Sequence, residues 1–161
     1  MIDAKNAFNS LNRKLALENI KKSCPSLATA IGNSYSAPSR LFVNRSIIWS
    51  QEGTTQGDPL AMAMYGIALL PLMDMIRNET VTQKWYADDG NAVGSLQALN
   101  ELHEKLQRHG PAFGYNITKC HVIAKPTSID NARNVFRNKD IKIVDGCRVL
   151  GSVIGSESAC R

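Results

Sequence analysis

The chain has 161 residues, of which 43% are hydrophobic and 20% charged. That composition suits a packed domain and excludes a disordered tail. The net charge of +5 leans towards polyanionic partners.

Met1-Ile2 reads as the stub of a strand that ends at Asp3. Asn9 or Ser10 is placed to cap a following helix with Leu11, Leu15 and Ile20 on one face, and with Arg13, Lys14, Lys21 and Lys22 on a solvated one. Pro25 opens a second helix that runs to about Tyr35. Leu41-Phe42-Val43 and Ile47-Ile48-Trp49 form a hairpin about Asn44-Arg45. Gln51 to Pro59 has no apolar period and is a loop, ending with Asp58 as N-cap and Pro59 at the first helical position.

From Leu60 to Ile76 the only charged residue is Asp74. The run falls short of the roughly 20 residues a bilayer needs, and Gly66 and Pro71 interrupt it. A buried helix to about Arg77, kinked at Pro71, is expected. Leu96, Leu99, Leu102 and Leu106 mark an amphipathic helix ended by Gly110. Cys120 to Ile123 is a strand, Asp130 to Phe136 a short helix, and Arg148 to Ile154 a final strand or hairpin.

The four cysteines (Cys24, Cys120, Cys147, Cys160) form no C-x-x-C pair, and Cys120-His121 is adjacent rather than spaced for zinc. Reduced thiols in an intracellular protein, nuclear or cytoplasmic and free of membrane, are the simpler account. No signal peptide precedes Asp3.

The chemistry centres on Trp85-Tyr86-Ala87-Asp88-Asp89-Gly90. An aromatic lead-in followed by two carboxylates and Gly90-Asn91 reads as a strand entering a tight turn, because Gly and Asn accept the positive φ of hairpin turns. Adjacent like charges at a strand end are costly unless a cation neutralises them, and oxygen-only ligands select hard ions such as Mg²⁺. Strands separated by helices, with acids at their tips, bring Asp3 within reach of Asp88. Three carboxylates in one place suit a two-metal phosphoryl-transfer site. The plainer reading of the same stretch is a solvated turn.

Asp3-x-x-x-Ala7-Phe8-Asn9, Gln56-Gly57-Asp58-Pro59-Leu60, Tyr86-Ala87-Asp88-Asp89, Gly114-x-Asn116-x-x-Lys119 and Leu150-Gly151 stand in the order and rough spacing of reverse-transcriptase palm motifs. Over residues 3 to about 152 the chain resembles the palm of a retroelement reverse transcriptase, nearest to non-LTR retrotransposon or group II intron enzymes. The resemblance implies an α+β domain over residues 1–161, an antiparallel palm sheet with helices on one face, truncated at both ends. The fingers and thumb of a longer polyprotein would lie outside it.

It also implies roles. Asp3 and Asp88 would bind two Mg²⁺ ions, for which Mn²⁺ is a substitute, with Asp89 completing the cluster and the Ala4 carbonyl adding a ligand. Ala7 and Phe8 would border the incoming deoxynucleoside triphosphate, with Phe8 as the gate against a 2′-OH, and Gln56 and Gly57 would line the same pocket. Lys119 would give a proton or positive charge to pyrophosphate. Tyr86, Leu150 and Gly151 would contact a DNA primer paired to an RNA template.

Each role has a duller counterpart: Phe8 as core, Lys119 as a surface lysine, Gln56 to Pro59 as a turn and cap. Asn9 stands where many members carry aspartate. The rival functions are a catalytically inactive nucleic-acid-binding remnant of a mobile element, and a cyclase-like palm. The second has no use for Gln56-Gly57-Asp58-Pro59 or Leu150-Gly151.

Overall fold

The computed structural model describes residues 1–149 and 152–156. It is a mixed α+β structure whose contacts separate into two compact units. One is built from Met1–Ala4, Arg77–Leu106 and the described part of the chain after Ile117, the other from Lys5–Ile76 and Gln107–Asn116.

The first unit is a five-stranded sheet. Its strands are β1 (Ile2–Ala4), β4 (Thr82–Tyr86), β5 (Asp89–Val93), β6 (Ile117–Ile123) and β7 (Lys142–Val144), in the order β4-β5-β1-β6-β7. The shortest strand that the sequence suggested is therefore central. β1 is antiparallel to both neighbours, Ile2 lying opposite Gly90 on one side and Cys120 on the other. Ile2, Val81, Cys120 and Val122 are buried, with Ala98, Leu102 and Leu106 from helix α5 (Leu96–His109) and Phe136 just beyond helix α6 (Ile129–Val135). Leu96 and Leu99 are only half-buried, so the buried stripe of α5 is rotated slightly from the leucine period.

The sheet is mixed rather than wholly antiparallel, because β6 and β7 run parallel. The cause is the chain between them. A parallel pair needs a crossover of a dozen or more residues, and α6 supplies it. A further antiparallel pair, β8 (Gly146–Val149) with β9 (Ser152–Gly155), lies where the sequence suggested a final strand or hairpin.

The tight turn at the acids sits earlier than Gly90-Asn91. Tyr86 pairs with Asp89, so Ala87 and Asp88 make the turn and Ala87 takes the positive φ (52°). Gly90 lies inside β5 and serves a different purpose. It pairs with Trp85, whose ring crosses the glycine so closely that an added Cβ would stand 2.5 Å from Cζ3. The indole Nε1 donates to Gln83 Oε1 at 3.2 Å, which holds the ring there.

The second unit is helical. Asn6 adopts a left-handed conformation and starts a single turn, α1 (Ala7–Ser10). This extra turn moves the next cap, so that Asn12 rather than Asn9 or Ser10 caps α2 (Arg13–Ser23), its Oδ1 accepting from Leu15 N at 3.1 Å. α3 (Pro25–Tyr35) begins at the proline, as expected. α4 (Ala61–Ile76) passes through Pro71 without ending, and buries Met64, Tyr65, Ala68, Leu69, Leu72 and Ile76. Asn19 of α2 donates to Ala68 O at 3.0 Å in the interior. Between α3 and α4 the hairpin β2 (Ser39–Val43) and β3 (Ser46–Ser50) turns at Asn44-Arg45, both with positive φ. No helix among the described residues is long and apolar enough to cross a membrane.

Gly90→Ala is expected to cost about 1–3 kcal/mol, the usual penalty for forcing atoms into a filled site. In a Trp85→Phe background, where the outer indole ring is gone, the same substitution should cost clearly less. Urea unfolding of the four proteins measures this, and equal costs in both backgrounds would show that the ring is not the obstacle.

Candidate functional site

The sheet register builds a row of polar side chains. Tyr86 lies opposite Asp89 across β4 and β5, and Asp3 lies opposite Lys119 across β1 and β6. The Ile2–Gly90 pair joins these halves, because one step along each antiparallel strand from it are Asp3 and Asp89. Directly opposed residues share a sheet face. Tyr86, Asp89, Asp3 and Lys119 are thus aligned across four strands, with Asp88 in the turn at one end.

The charges in this row affect one another. The Asp89 carboxyl is raised above its ordinary value, first by partial burial and then by the negative charges of Asp88 and Asp3. Asp3, Asp88 and Asp89 are each half-buried, Lys119 is exposed, and Tyr86 is 66% exposed. The register slips between Asp3 and Ala4, which still pairs with Ile117. Among the described residues no three His, Cys, Asp or Glu side chains converge closely enough to form a metal cage as they stand. The donor set is nevertheless all oxygen, and mutually repelling carboxylates are what a hard divalent cation relieves.

Ala7, Phe8, Gln56 and Gly57 belong to the other unit. Ala7 is buried. Phe8 is half-buried, with its ring stacked on Tyr65 at 4.6 Å between centroids, and its carbonyl accepts from Thr54 N at 2.7 Å. Gln56 and Gly57 are exposed, and Gly57 has φ 90° with open space around its Cα. Leu150 and Gly151 lie outside the described residues.

Arg13 corrects the sequence reading. It is no solvated charge but only 5% exposed. Its Nε donates to Gly53 O, Nη1 to Ser50 O, and Nη2 to Ser50 Oγ and Glu52 O, at 2.7–3.0 Å. The Arg13 backbone N–H donates to Glu52 Oε2 at 2.9 Å. Tyr35, beneath the guanidinium, donates its hydroxyl to Asp58 Oδ2 at 2.5 Å and accepts from Thr55 N at 3.1 Å. That bond and the Leu60 N–H hold Asp58 below its ordinary pKa, and burial together with Asp58 holds the Tyr35 hydroxyl above its own. Asp58 does mark a helix start, though its carboxylate accepts from Leu60 N and α4 begins only at Ala61.

Gly53 completes the clamp with φ 70°, packed so close to the Asn9 backbone that a Cβ would collide with its carbonyl. The loop carrying Gln56 and Gly57 is thereby fixed at both ends. The signal for Arg13 was present in the sequence, since it shares a helical stripe with buried Ala16 and Ile20.

Neither models of known protein families nor curated proteins match this chain.

Two outcomes follow. A carboxyl whose pKa is higher folded than unfolded takes up protons on folding, so stability falls as pH rises from the ordinary aspartate value through the raised one, and the penalty persists above it. Asp89→Asn should therefore melt higher than the parent at neutral pH and lose that advantage in acid. Mg²⁺ should raise the melting temperature of the parent more than that of the variant, and thermal melts across pH with and without the ion check both. Arg13→Lys, which cannot reproduce the forked contacts, is expected to cost about 2–4 kcal/mol by leaving buried carbonyls unpaired. Hydrogen exchange should then speed up at Gly53 to Thr55, and unchanged protection there would show that Arg13 does not hold the loop.

Proposed function

We propose that this chain is the palm-like core of an RNA-directed DNA polymerase, joining a deoxynucleotide to a primer 3′-OH on an RNA template. The observation that carries the reading is the row Tyr86–Asp89–Asp3–Lys119 with Asp88 at its end. In the reaction the primer oxygen bonds to the α-phosphorus, the bond to the bridging oxygen breaks, and pyrophosphate leaves.

Asp3, Asp88, Asp89 and the Ala4 carbonyl are the residues that would hold Mg²⁺. When bound, the ions supply positive charge to the attacking and leaving oxygens. The chain's own groups do the rest. Lys119, opposite Asp3 in the sheet, offers a cation or proton to the departing pyrophosphate. Tyr86 exposes a ring at the end of the row for the primer terminus. The clamped loop presents Gln56 and Gly57 with little freedom to lose on binding. Phe8, held against Tyr65, gives an apolar wall that a 2′-OH would meet at the loss of its water hydrogen bonds. Leu150 and Gly151 are assigned to the primer by the sequence resemblance.

The test is addition of single labelled deoxynucleotides to a DNA primer on an RNA template. Transfer should require Mg²⁺ or Mn²⁺, and Asp3→Asn or Asp88→Asn should lower it about a hundredfold or more. Phe8→Val should admit ribonucleotides, with a change in discrimination on the order of a hundredfold. Metal-independent binding of nucleic acid without any transfer by the parent chain would favour the inactive remnant instead.

A further inference from the structure

β2 and β3 pair only with each other among the described residues. A lone two-stranded hairpin is marginal in water, yet this one exposes six large apolar side chains, with Phe42 76% and Trp49 54% accessible. Its two faces differ. The register sets Arg40 opposite Trp49 and Phe42 opposite Ile47 on one face, and Leu41 opposite Ile48 and Val43 opposite Ser46 on the other. Both aromatic rings and a cation thus share one face, and the other is aliphatic.

The charge on this element has one sign. Arg40 lies over the Trp49 ring at 5.3 Å, Arg45 sits in the turn, and no Asp or Glu occurs from Ser39 to Ser50. The foot of the hairpin is anchored, because Arg13 donates to both the carbonyl and the hydroxyl of Ser50. The platform is therefore exposed at its tip and fixed at its base. A partner that fits it offers flat apolar surfaces and negative charge together. Single-stranded nucleic acid does both. Its bases have free π-faces and its backbone carries a phosphate at each step, whereas a duplex hides the faces of its bases in the stack.

We infer that the Arg40–Phe42–Ile47–Trp49 face binds single-stranded nucleic acid, with bases stacked on Phe42 and Trp49 and phosphates at Arg40 and Arg45. The inference extends the proposed function by naming a strand-binding surface, and it rests on that reading only for the class of partner. It uses none of the acidic residues.

The test is fluorescence anisotropy of labelled oligo(dT) at low salt in EDTA, with a duplex of the same length as comparison. The single strand should bind more tightly and should quench Trp49 fluorescence in a Trp85→Phe background. Phe42→Ala and Trp49→Ala should each weaken binding by between about fivefold and a hundredfold, the range found for loss of one base-stacking ring. The Arg40→Ala, Arg45→Ala pair should lower the slope of log affinity against log salt by about 1.4, for two fewer phosphate contacts.

Unchanged affinity in the aromatic variants would overturn the inference. So would aromatic variants that bind oligo(dT) normally but run as monomers on gel filtration where the parent runs as a dimer, since the face would then belong to a second copy. A chain that binds through the hairpin but transfers no nucleotide would defeat the proposed function alone, and a chain that transfers nucleotides but whose hairpin variants bind normally would defeat this inference alone.

Discussion

The sheet depends on the double pairing of β1. Three residues lie between β5 and β6, and their register decides which side chains meet. Antiparallel neighbours bring opposed Cα atoms to about 4.5–5.5 Å, so pairing Ile2 with Gly90 and Cys120 leaves Asp3 no choice of company. A slip by one residue would send Asp3 to the other face and Ile2 out of the core. Hydrogen bonds at the strand's start resist that slip. The terminal ammonium donates to His121 O at 2.8 Å, and His121 N donates back to Met1 O at 2.9 Å. Apolar packing of Ile2 thus sets Asp3 beside Asp89, whose carboxyl is raised first by partial burial and then by the charges of Asp88 and Asp3.

The helical unit holds its polar residues in the opposite way. Around Arg13 and Tyr35 nearly every donor meets an acceptor, and Asp58 is stabilised as an anion by two hydrogen bonds. One unit lines carboxylates up across neighbouring strands, where the proposed cation would sit. The other saturates its charges and fixes a loop. The contrast separates groups proposed to bind an ion from groups that hold backbone in place, although both are clusters of charged and polar residues in the sequence.

Much of the architecture was legible where a single local signal decided it. Pro25 to Tyr35, the Asn44-Arg45 hairpin and the leucine-marked α5 formed as their patterns indicated. The failures share a cause, a residue type with two physical uses. Gly90 was taken as turn chemistry, but the chain needs it to pass under Trp85, and Ala87 bears the positive φ instead. Arg13 stood among lysines and so looked solvated, yet its position on the buried stripe outweighed its charge. β7 is only three residues long and pairs in parallel across a helix, so no alternation or turn announced it. For the acidic row, the tetrad at residues 86–89 and its approach to Asp3 were legible, but the register that sets Asp3 opposite Lys119 followed from strand pairing, which no local period encodes.

The central position of β1 has a consequence in time. On a ribosome Ile2 emerges first of all the sheet residues, and at roughly 5–20 residues per second Cys120 follows on the order of ten seconds later. Throughout that interval the middle of the sheet has been made but has nothing on its far side to pair with, and even Gly90 comes late. Most of the helical unit, Lys5 to Ile76, is synthesised within the wait. Of the five strands, the one that positions the acids therefore waits longest for its second neighbour, and during synthesis its backbone groups must be kept from other partners.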